Sequence, residues 1–446
     1  MVGVSGVRGV VGKDLIPEVV TRYAAAFGAL VRESGHRSVV LARDSRQSGP
    51  IFSAAVEAAL KSADCRVISC GVIPTPTAQL AVEHHHAGGG IIVTASHNPV
   101  EWNALKFVGH DGVFLDQESW RKLEALMSAP PAPAGGGDSV VDAEAITRHL
   151  DLLFALPLAA PAAVRGRKFR VALDCVRGAG GPIMTQLLER LGCEVHGINL
   201  EADGAFPHPP EPVPANLGAL SSLVKETRAD IGLAVDPDVD RLALVDETGV
   251  PIGEDYTLAF AVEAVLARTP GPVVVNLSTS LLVDDAAAAY GVPVERAPVG
   301  EANVARAMRR RGAVVGGEGN GGVILPALHL GRDAPLAALL VLQLLAGAGR
   351  PLSELVAARP RYVIVKDKVP RGPNVESVYR ALLEQFPDAS VNRQDGLRLS
   401  WPGRWLHVRP SGTEPIVRVI AEARTSLAAV ALIDRAKAAC VSEGAV

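Results

Sequence analysis

Short apolar runs of strand length alternate with stretches of helical spacing over most of this chain. In the first third, residues 38–42, 65–69 and 90–94 read as strands, and 51–62 and 77–86 carry apolar residues at helical spacing between them. That alternation predicts a parallel sheet covered on both faces. A helix is predicted at 144–156, and the rhythm then restarts. Strands at 169–173, 194–198 and 231–235 enclose a helix at 182–191, and a third cycle runs through 273–276 and 313–315. Each cycle ends an apolar strand on a polar motif, at the carboxyl end where such sheets place their sites. Beyond residue 362 the pattern changes. Residues 397–399 and 406–408 alternate, 416–420 follows a loop and 427–440 reads as a helix, which predicts a smaller α+β unit with a mostly antiparallel sheet. The apolar run 336–345 is interrupted by Gln343 and bounded by Pro335 and Gly347. It is too short to span a bilayer and reads as a buried core helix. Residues 128–137, rich in proline, alanine and glycine, are the clearest linker-like stretch.

Composition narrows the classes. A chain of 446 residues exceeds one ordinary domain, and ~150 residues per domain predicts about three. Hydrophobic residues at 48% and charged residues at 21% suit soluble domains with real cores. The formal net charge of -4 supplies no global basic field for nucleic acid or an anionic membrane, so phosphate binding must be local. Aromatic residues, at 4%, leave little for base-stacking platforms. Five cysteines, with no Cys-x-x-Cys pair, read as reduced thiols of a cytoplasmic protein. No basic-then-apolar signal pattern opens the chain.

Four motifs carry candidate chemistry. Thr94-Ala95-Ser96-His97-Asn98-Pro99 follows a strand and presents Ser96 as a fixed hydroxyl, with His97 and Lys106 near in sequence to supply positive charge or proton transfer. The same hexapeptide also fits a strand-end turn set by Asn98-Pro99. Asp236, Asp238 and Asp240 are alternate residues of what reads as an extended segment, so their carboxylates point one way. Together they form an oxygen-rich pocket for a hard cation such as Mg²⁺, which also relieves their repulsion. A helix-loop-helix calcium loop is rejected, because Arg241 stands at its sixth position, where glycine is needed, and the flanks are strands. An aspartyl-phosphate enzyme using Asp236 stays open. Gly317-Glu318-Gly319-Asn320-Gly321-Gly322 matches a dinucleotide fingerprint by letter, but a glutamate lies inside it and no acidic residue follows at ~20 positions. It reads as a turn presenting Glu318 and Asn320 to hydroxyls, or as a plain glycine-rich hairpin. In Arg409-Pro410-Ser411-Gly412-Thr413-Glu414-Pro415, the side chains of Arg409, Ser411 and Thr413 and backbone N–H groups freed by Gly412 suit one phosphate, with Arg418 on the next strand. A surface hairpin turn is the other reading. Arg8, in Ser5-Gly6-Val7-Arg8-Gly9, is placed to reach a phosphate.

These five motifs, in this order, resemble those of the α-D-phosphohexomutases over nearly the whole chain. The resemblance implies three similar mixed-sheet α/β domains (1–148, 149–252, 253–362) and a C-terminal α+β domain (363–446) around a central active-site cleft. It implies that Ser96 is the phosphoserine and that Mg²⁺ is held by Asp236, Asp238, Asp240 and a Ser96 phosphate oxygen. Arg8, His97, Lys106 and Arg241 would line the reaction centre, with Lys106 a candidate for proton transfer. Glu318 and Asn320 would contact sugar hydroxyls. Arg409, Ser411, Gly412, Thr413 and Arg418 would hold the phosphate that is not transferring. The implied reaction interconverts hexose or hexosamine 6-phosphates and 1-phosphates through a hexose 1,6-bisphosphate. The implied enzyme acts on a small sugar phosphate as a monomer or homodimer, with no nucleic acid or membrane partner. Many members carry serine at the place of Asn320 and histidine at that of Gly322, and some carry histidine where Glu301 stands. The variant found here looks most like the archaeal-type phosphoglucosamine mutase branch, which includes members assigned to glucose and mannose phosphates.

Overall fold

The computed structural model describes residues 2–3, 6–128, 135–372, 374–412 and 415–442. Four sheets follow one another along the chain. In the first, Ser38–Arg43, Arg66–Val72, Gly89–Val93 and Ser139–Val141 run parallel, as the alternating pattern predicts. Its other side departs from that prediction. Trp102–Gly109 runs antiparallel beside Gly89–Val93, and Gly6–Val10 antiparallel beside it in turn. The second sheet places Arg170–Asp174, Glu194–Ile198 and Ile231–Val235 in parallel and adds Leu242–Asp246 antiparallel. The third repeats the plan with Val273–Asn276, Val294–Ala297 and Val315–Glu318, then Gly322–Ile324 antiparallel. The fourth is wholly antiparallel, through Val363–Pro370, Ile416–Ala423, Arg404–Pro410, Leu397–Trp401 and Ser390–Asn392.

The antiparallel additions fix where the motifs lie. In each of the first three sheets, a buried strand ends in its polar motif and the chain returns at once as the antiparallel neighbour. The serine, aspartate and glycine motifs are therefore hairpin loops at the carboxyl ends of equivalent strands. The loop between Arg404–Pro410 and Ile416–Ala423 is the corresponding hairpin of the fourth sheet.

The second and third units share one apolar core, in which Leu187 and Leu233 join Phe260 and Leu339. Its centre is the helix Ala334–Ala348, the buried core helix expected from the apolar run. Asp333 caps it by accepting from the Leu336 N–H, and Gly349, at φ 65°, ends it in the left-handed conformation. Leu336, Leu339, Leu340 and Leu342 are fully buried there, each worth ~1.5–3 kcal/mol relative to exposure. Part of the linker-like stretch, 129–134, lies outside the described residues. The chain beyond it stays with the first unit, since an added Cβ at Gly137 would lie 2.2 Å from the Cys65 carbonyl oxygen and Ser139–Val141 joins the first sheet. No helix among the described residues is long and apolar enough to cross a membrane.

Candidate active site

Ser96 sits buried at the tip of the first hairpin with φ 50°, a left-handed conformation uncommon for a residue with a side chain. Its N–H donates to Thr94 Oγ1 at 2.9 Å. Its Oγ donates to Asp236 Oδ2 at 2.7 Å, across 140 positions of sequence, and lies 3.4 Å from His97 Nδ1. The Arg241 charge, with burial second, holds His97 well below the usual imidazole range, so its ring is neutral at pH 7.

The aspartates converge by a different route from the one expected. Residues 236–241 form a turn, with Val239 at φ 63°. The Asp240 and Arg241 N–H groups donate to Asp236 Oδ1, each at 3.2 Å. One oxygen from each of Asp236, Asp238 and Asp240 lies within 4.8 Å of the others. All three residues are fully buried. Lys106 Nζ is 2.6 Å from Asp238 and 3.8 Å from Asp240. Thr75 donates to Asp238 at 2.7 Å, and Arg332 meets Asp240 at 2.5 Å. Burial raises Asp236 well above the usual carboxylate range, and the Asp240 and Asp238 charges add to this. Burial also acts upward on Asp238, but Lys106 and Thr75 outweigh it and hold that carboxyl well below its ordinary value. Asp238 Oδ1 and Asp240 Oδ1 are buried without a hydrogen-bond partner. Orphaned carboxylate oxygens in a tight cluster fit a hard divalent cation.

The glycine turn lies against the aspartate turn, since the Leu242 N–H donates to the Gly321 carbonyl at 3.1 Å. A strand rather than a helix follows it, which removes the dinucleotide reading. Glu318 accepts from Asn276 Nδ2 at 2.8 Å and the Gly300 N–H at 2.9 Å, and pairs with Arg332 at 3.0 Å. Burial acts to raise it, but Arg332 and these two donors outweigh it, so it stays ionised. These three donors leave one acceptor position on its carboxylate. Asn320 Oδ1 is buried without a partner. Glu301 is engaged by other side chains, accepting from Gln79 at 3.0 Å and Arg332 at 2.9 Å.

In the fourth hairpin Arg409 and Arg418 stand directly opposite each other on paired strands. Like charges so placed repel unless an anion lies between them. Asp395 approaches Arg409 at 3.4 Å and accepts from the Val299 N–H at 3.0 Å, which joins this loop to the Val299-Gly300 segment beside Glu318. Ser411 is buried and closes the hairpin through its N–H to the Ile416 carbonyl. An added Cβ at Gly412 meets nothing within 4 Å, so no neighbour demands glycine there. Thr413 lies outside the described residues. Arg8 pairs with Ala104 across the sheet, on the same face as Lys106, and its charge acts on His97.

Two arginines escape a reading of the sequence. Arg332 gathers Asp240, Glu301 and Glu318 around one guanidinium. Arg46, fully buried, binds the carbonyls of the serine loop from below. Arg46 lies just beyond a strand's carboxyl end, a usable signal, whereas Arg332 has none in its own neighbourhood.

The chain matches the four family descriptions of phosphoglucomutase/phosphomannomutase. These are alpha/beta/alpha domain I over residues 1–132, domain II over 149–249, domain III over 253–362 and the C-terminal domain over 364–439. It is 36% identical to a probable phosphoglucosamine mutase of Methanopyrus kandleri, covering 95% of this chain and 94% of that one. It is 34% identical to a phosphoglucomutase/phosphomannomutase of Thermococcus kodakarensis, with the same coverage. Among solved structures, a phosphoglucomutase/phosphomannomutase family protein of Burkholderia thailandensis superposes with a TM-score of 0.86 at 28% identity, covering 99% of this chain and 98% of that one.

Proposed function

Given that the chain belongs to the phosphoglucomutase/phosphomannomutase family, we propose that it interconverts glucosamine 6-phosphate and glucosamine 1-phosphate by way of a phosphoserine at Ser96. In the first half-reaction the Ser96 Oγ–P bond breaks and a bond forms from phosphorus to the free sugar hydroxyl, giving a hexose 1,6-bisphosphate. In the second, Ser96 takes the phosphoryl group from the other end. Lys106 carries the proton between the sugar hydroxyl and the Ser96 oxygen. His97, kept neutral by Arg241, leaves the positive charge beside the phosphoryl group to Lys106, Arg241 and Arg8. Asp236, Asp238, Asp240 and the seryl phosphate would hold Mg²⁺, which supplies charge neutralisation at the transferring oxygens.

Glu318 and Asn320 take the sugar hydroxyls. Arg409, Ser411, Gly412, Thr413 and Arg418 take the phosphate that does not transfer, in whichever orientation the sugar binds. The observation that carries this reading is the 2.7 Å contact of Ser96 Oγ with a member of the aspartate trio. The relative from Methanopyrus kandleri supports an amino sugar. The one from Thermococcus kodakarensis supports glucose or mannose phosphates as the second reading. The test has two arms. Ser96→Ala should lose nearly all turnover while calorimetry still records Mg²⁺ binding, and normal turnover in it would end the donor role. Turnover on glucosamine, glucose and mannose 6-phosphates, with catalytic bisphosphate, should favour glucosamine, and preference for either other sugar selects the second reading.

A further inference from the structure

Arg46 lies in the segment Asp44-Ser45-Arg46 beyond the strand Ser38–Arg43, and its polar contacts are to Asp44 and the serine hairpin rather than to the aspartate trio. Its side chain is fully buried. All five of its N–H groups are nevertheless satisfied. Nε donates to Asp44 Oδ2 at 3.1 Å. Nη2 donates to the Ser96 carbonyl at 2.6 Å and the Asn98 carbonyl at 2.7 Å. Nη1 donates to the carbonyls of Pro99 at 2.7 Å and Trp102 at 2.8 Å. Four of the five acceptors belong to one short stretch, the serine hairpin. Lysine, with three donors and no planar fork, cannot reproduce this pattern.

The other side of Ser96 is fixed through the same pair. Asp44 accepts from the Arg46 N–H at 2.9 Å and from Thr94 Oγ1 at 2.7 Å, and Thr94 Oγ1 accepts the Ser96 N–H at 2.9 Å. The N–H and C=O of a residue at φ 50° are therefore both tethered to Asp44 and Arg46. Such a conformation persists only where its surroundings over-determine it. With the backbone set, the direction of the Cα–Cβ bond is set, and only one torsion remains before Oγ meets Asp236. The second unit holds this device from outside. Phe206 covers the guanidinium, 5.0 Å from ring centroid to Cζ, and Ser45 Oγ donates to the Arg177 carbonyl at 2.8 Å. The serine loop is thus indexed to the unit that carries the aspartates.

We propose that Arg46, with Asp44 and Thr94, is a positioning residue for phosphoryl transfer, holding Ser96 in the left-handed conformation that aims its oxygen at the aspartate trio. The inference rests on the function proposed above. Its test uses the full chain with Arg46→Lys and, as a gentler change, Thr94→Val. A misaimed nucleophile loses rate rather than affinity. Arg46→Lys should lower kcat ~100-fold, the scale of a displacement of about an ångström. Thr94→Val should lower it about 10-fold. KM for the sugar phosphate and the Mg²⁺ dissociation constant should each stay within about 3-fold. Phosphate uptake by Ser96 from glucose 1,6-bisphosphate, followed by mass, should slow by the same factors as kcat. Unchanged kcat in both variants overturns the inference, as does a loss of kcat matched by an equal loss of Mg²⁺ affinity. A wild type that turns over none of the three sugar phosphates, yet takes up phosphate on Ser96 more slowly once Arg46 is replaced, overturns the substrate reading and leaves the positioning role supported. A wild type that takes up no phosphate overturns both.

Discussion

At the scale of single residues, the site is defined by charges that need one another. Asp238 is almost wholly buried and its cation is Lys106, itself only 12% exposed. Removing one partner of such a pair strands the other in a low dielectric, at ~3–5 kcal/mol. Lys106→Met should therefore lose turnover and also unfold earlier. Because Mg²⁺ offers Asp238 a replacement cation, the gap in melting temperature from wild type should be widest in EDTA and narrow when Mg²⁺ is added. A gap indifferent to Mg²⁺ would place no cation at Asp238. Glu318 offers a second case, since its charge answers Arg332 and one acceptor position on its carboxylate is left for a proposed sugar hydroxyl. Glu318→Gln keeps the shape but removes the charge. A charge-assisted bond of ~1.5–3 kcal/mol predicts KM raised about 10- to 100-fold, measured by steady-state kinetics. The aspartates and Ser96 were legible in the sequence because each motif is contiguous and follows an apolar strand. Arg332 was not, because its three partners are assembled from the aspartate turn, the helix start at Glu301 and the glycine turn.

At the scale of elements, the alternation of strand and helix was readable, but the return strands were not. Trp102–Gly109, Leu242–Asp246 and Gly322–Ile324 follow their motifs directly, and a run ending in a polar loop gives no sign of whether a helix or an antiparallel strand comes next. The same gap explains the misread aspartates. An extended segment would present alternate side chains on one face, whereas a hairpin turn with Val239 at φ 63° gathers them by curvature. The glycine turn shows how closely two hairpins are packed. Gly321 has φ +85°, and an added Cβ would lie 2.4 Å from the Leu242 carbonyl oxygen. That atom is backbone and cannot swing aside. Gly321→Ala should cost ~1–3 kcal/mol in strain and push Glu318 and Asn320 out of place. The expected signature is a lower melting temperature with a raised KM for the sugar phosphate. Wild-type kinetics in that variant would show that the turn does not read the sugar.

At the scale of the molecule, the question is how the fourth sheet stays docked, because it carries Arg409, Ser411 and Arg418. Composition and pattern foretold a smaller antiparallel unit but not its seam, which is made of buried polar groups. Glu422 accepts from the Ser280 hydroxyl, from the Leu281 N–H at 2.9 Å and from Trp405 Nε1 at 2.6 Å. His407 lies 2.9 Å from the Ser278 hydroxyl through Nδ1 and donates through Nε2 to the Asp395 carbonyl at 2.7 Å. Burial, reinforced by Arg409 and Arg398 and opposed by Asp395, pushes His407 down to about 4. Its unfolded value is ~6.5, so between these limits the unfolded chain binds more protons than the folded one. The neutral ring's contribution is complete above pH ~6.5 and is lost progressively toward pH ~4. At pH 5 the loss is ~2 kcal/mol, or about 30-fold in an opening equilibrium. Glu422, raised by burial, titrates with the opposite sign, so wild type alone would blur the effect. Amide-exchange protection of Arg404–Pro410 and Ile416–Ala423 should therefore fall more between pH 7 and pH 5 in wild type than in His407→Gln, by a factor approaching 30. Equal pH dependence in the two proteins would remove His407 from the seam and leave Glu422 and Asp395 to hold the fourth hairpin against the glycine turn.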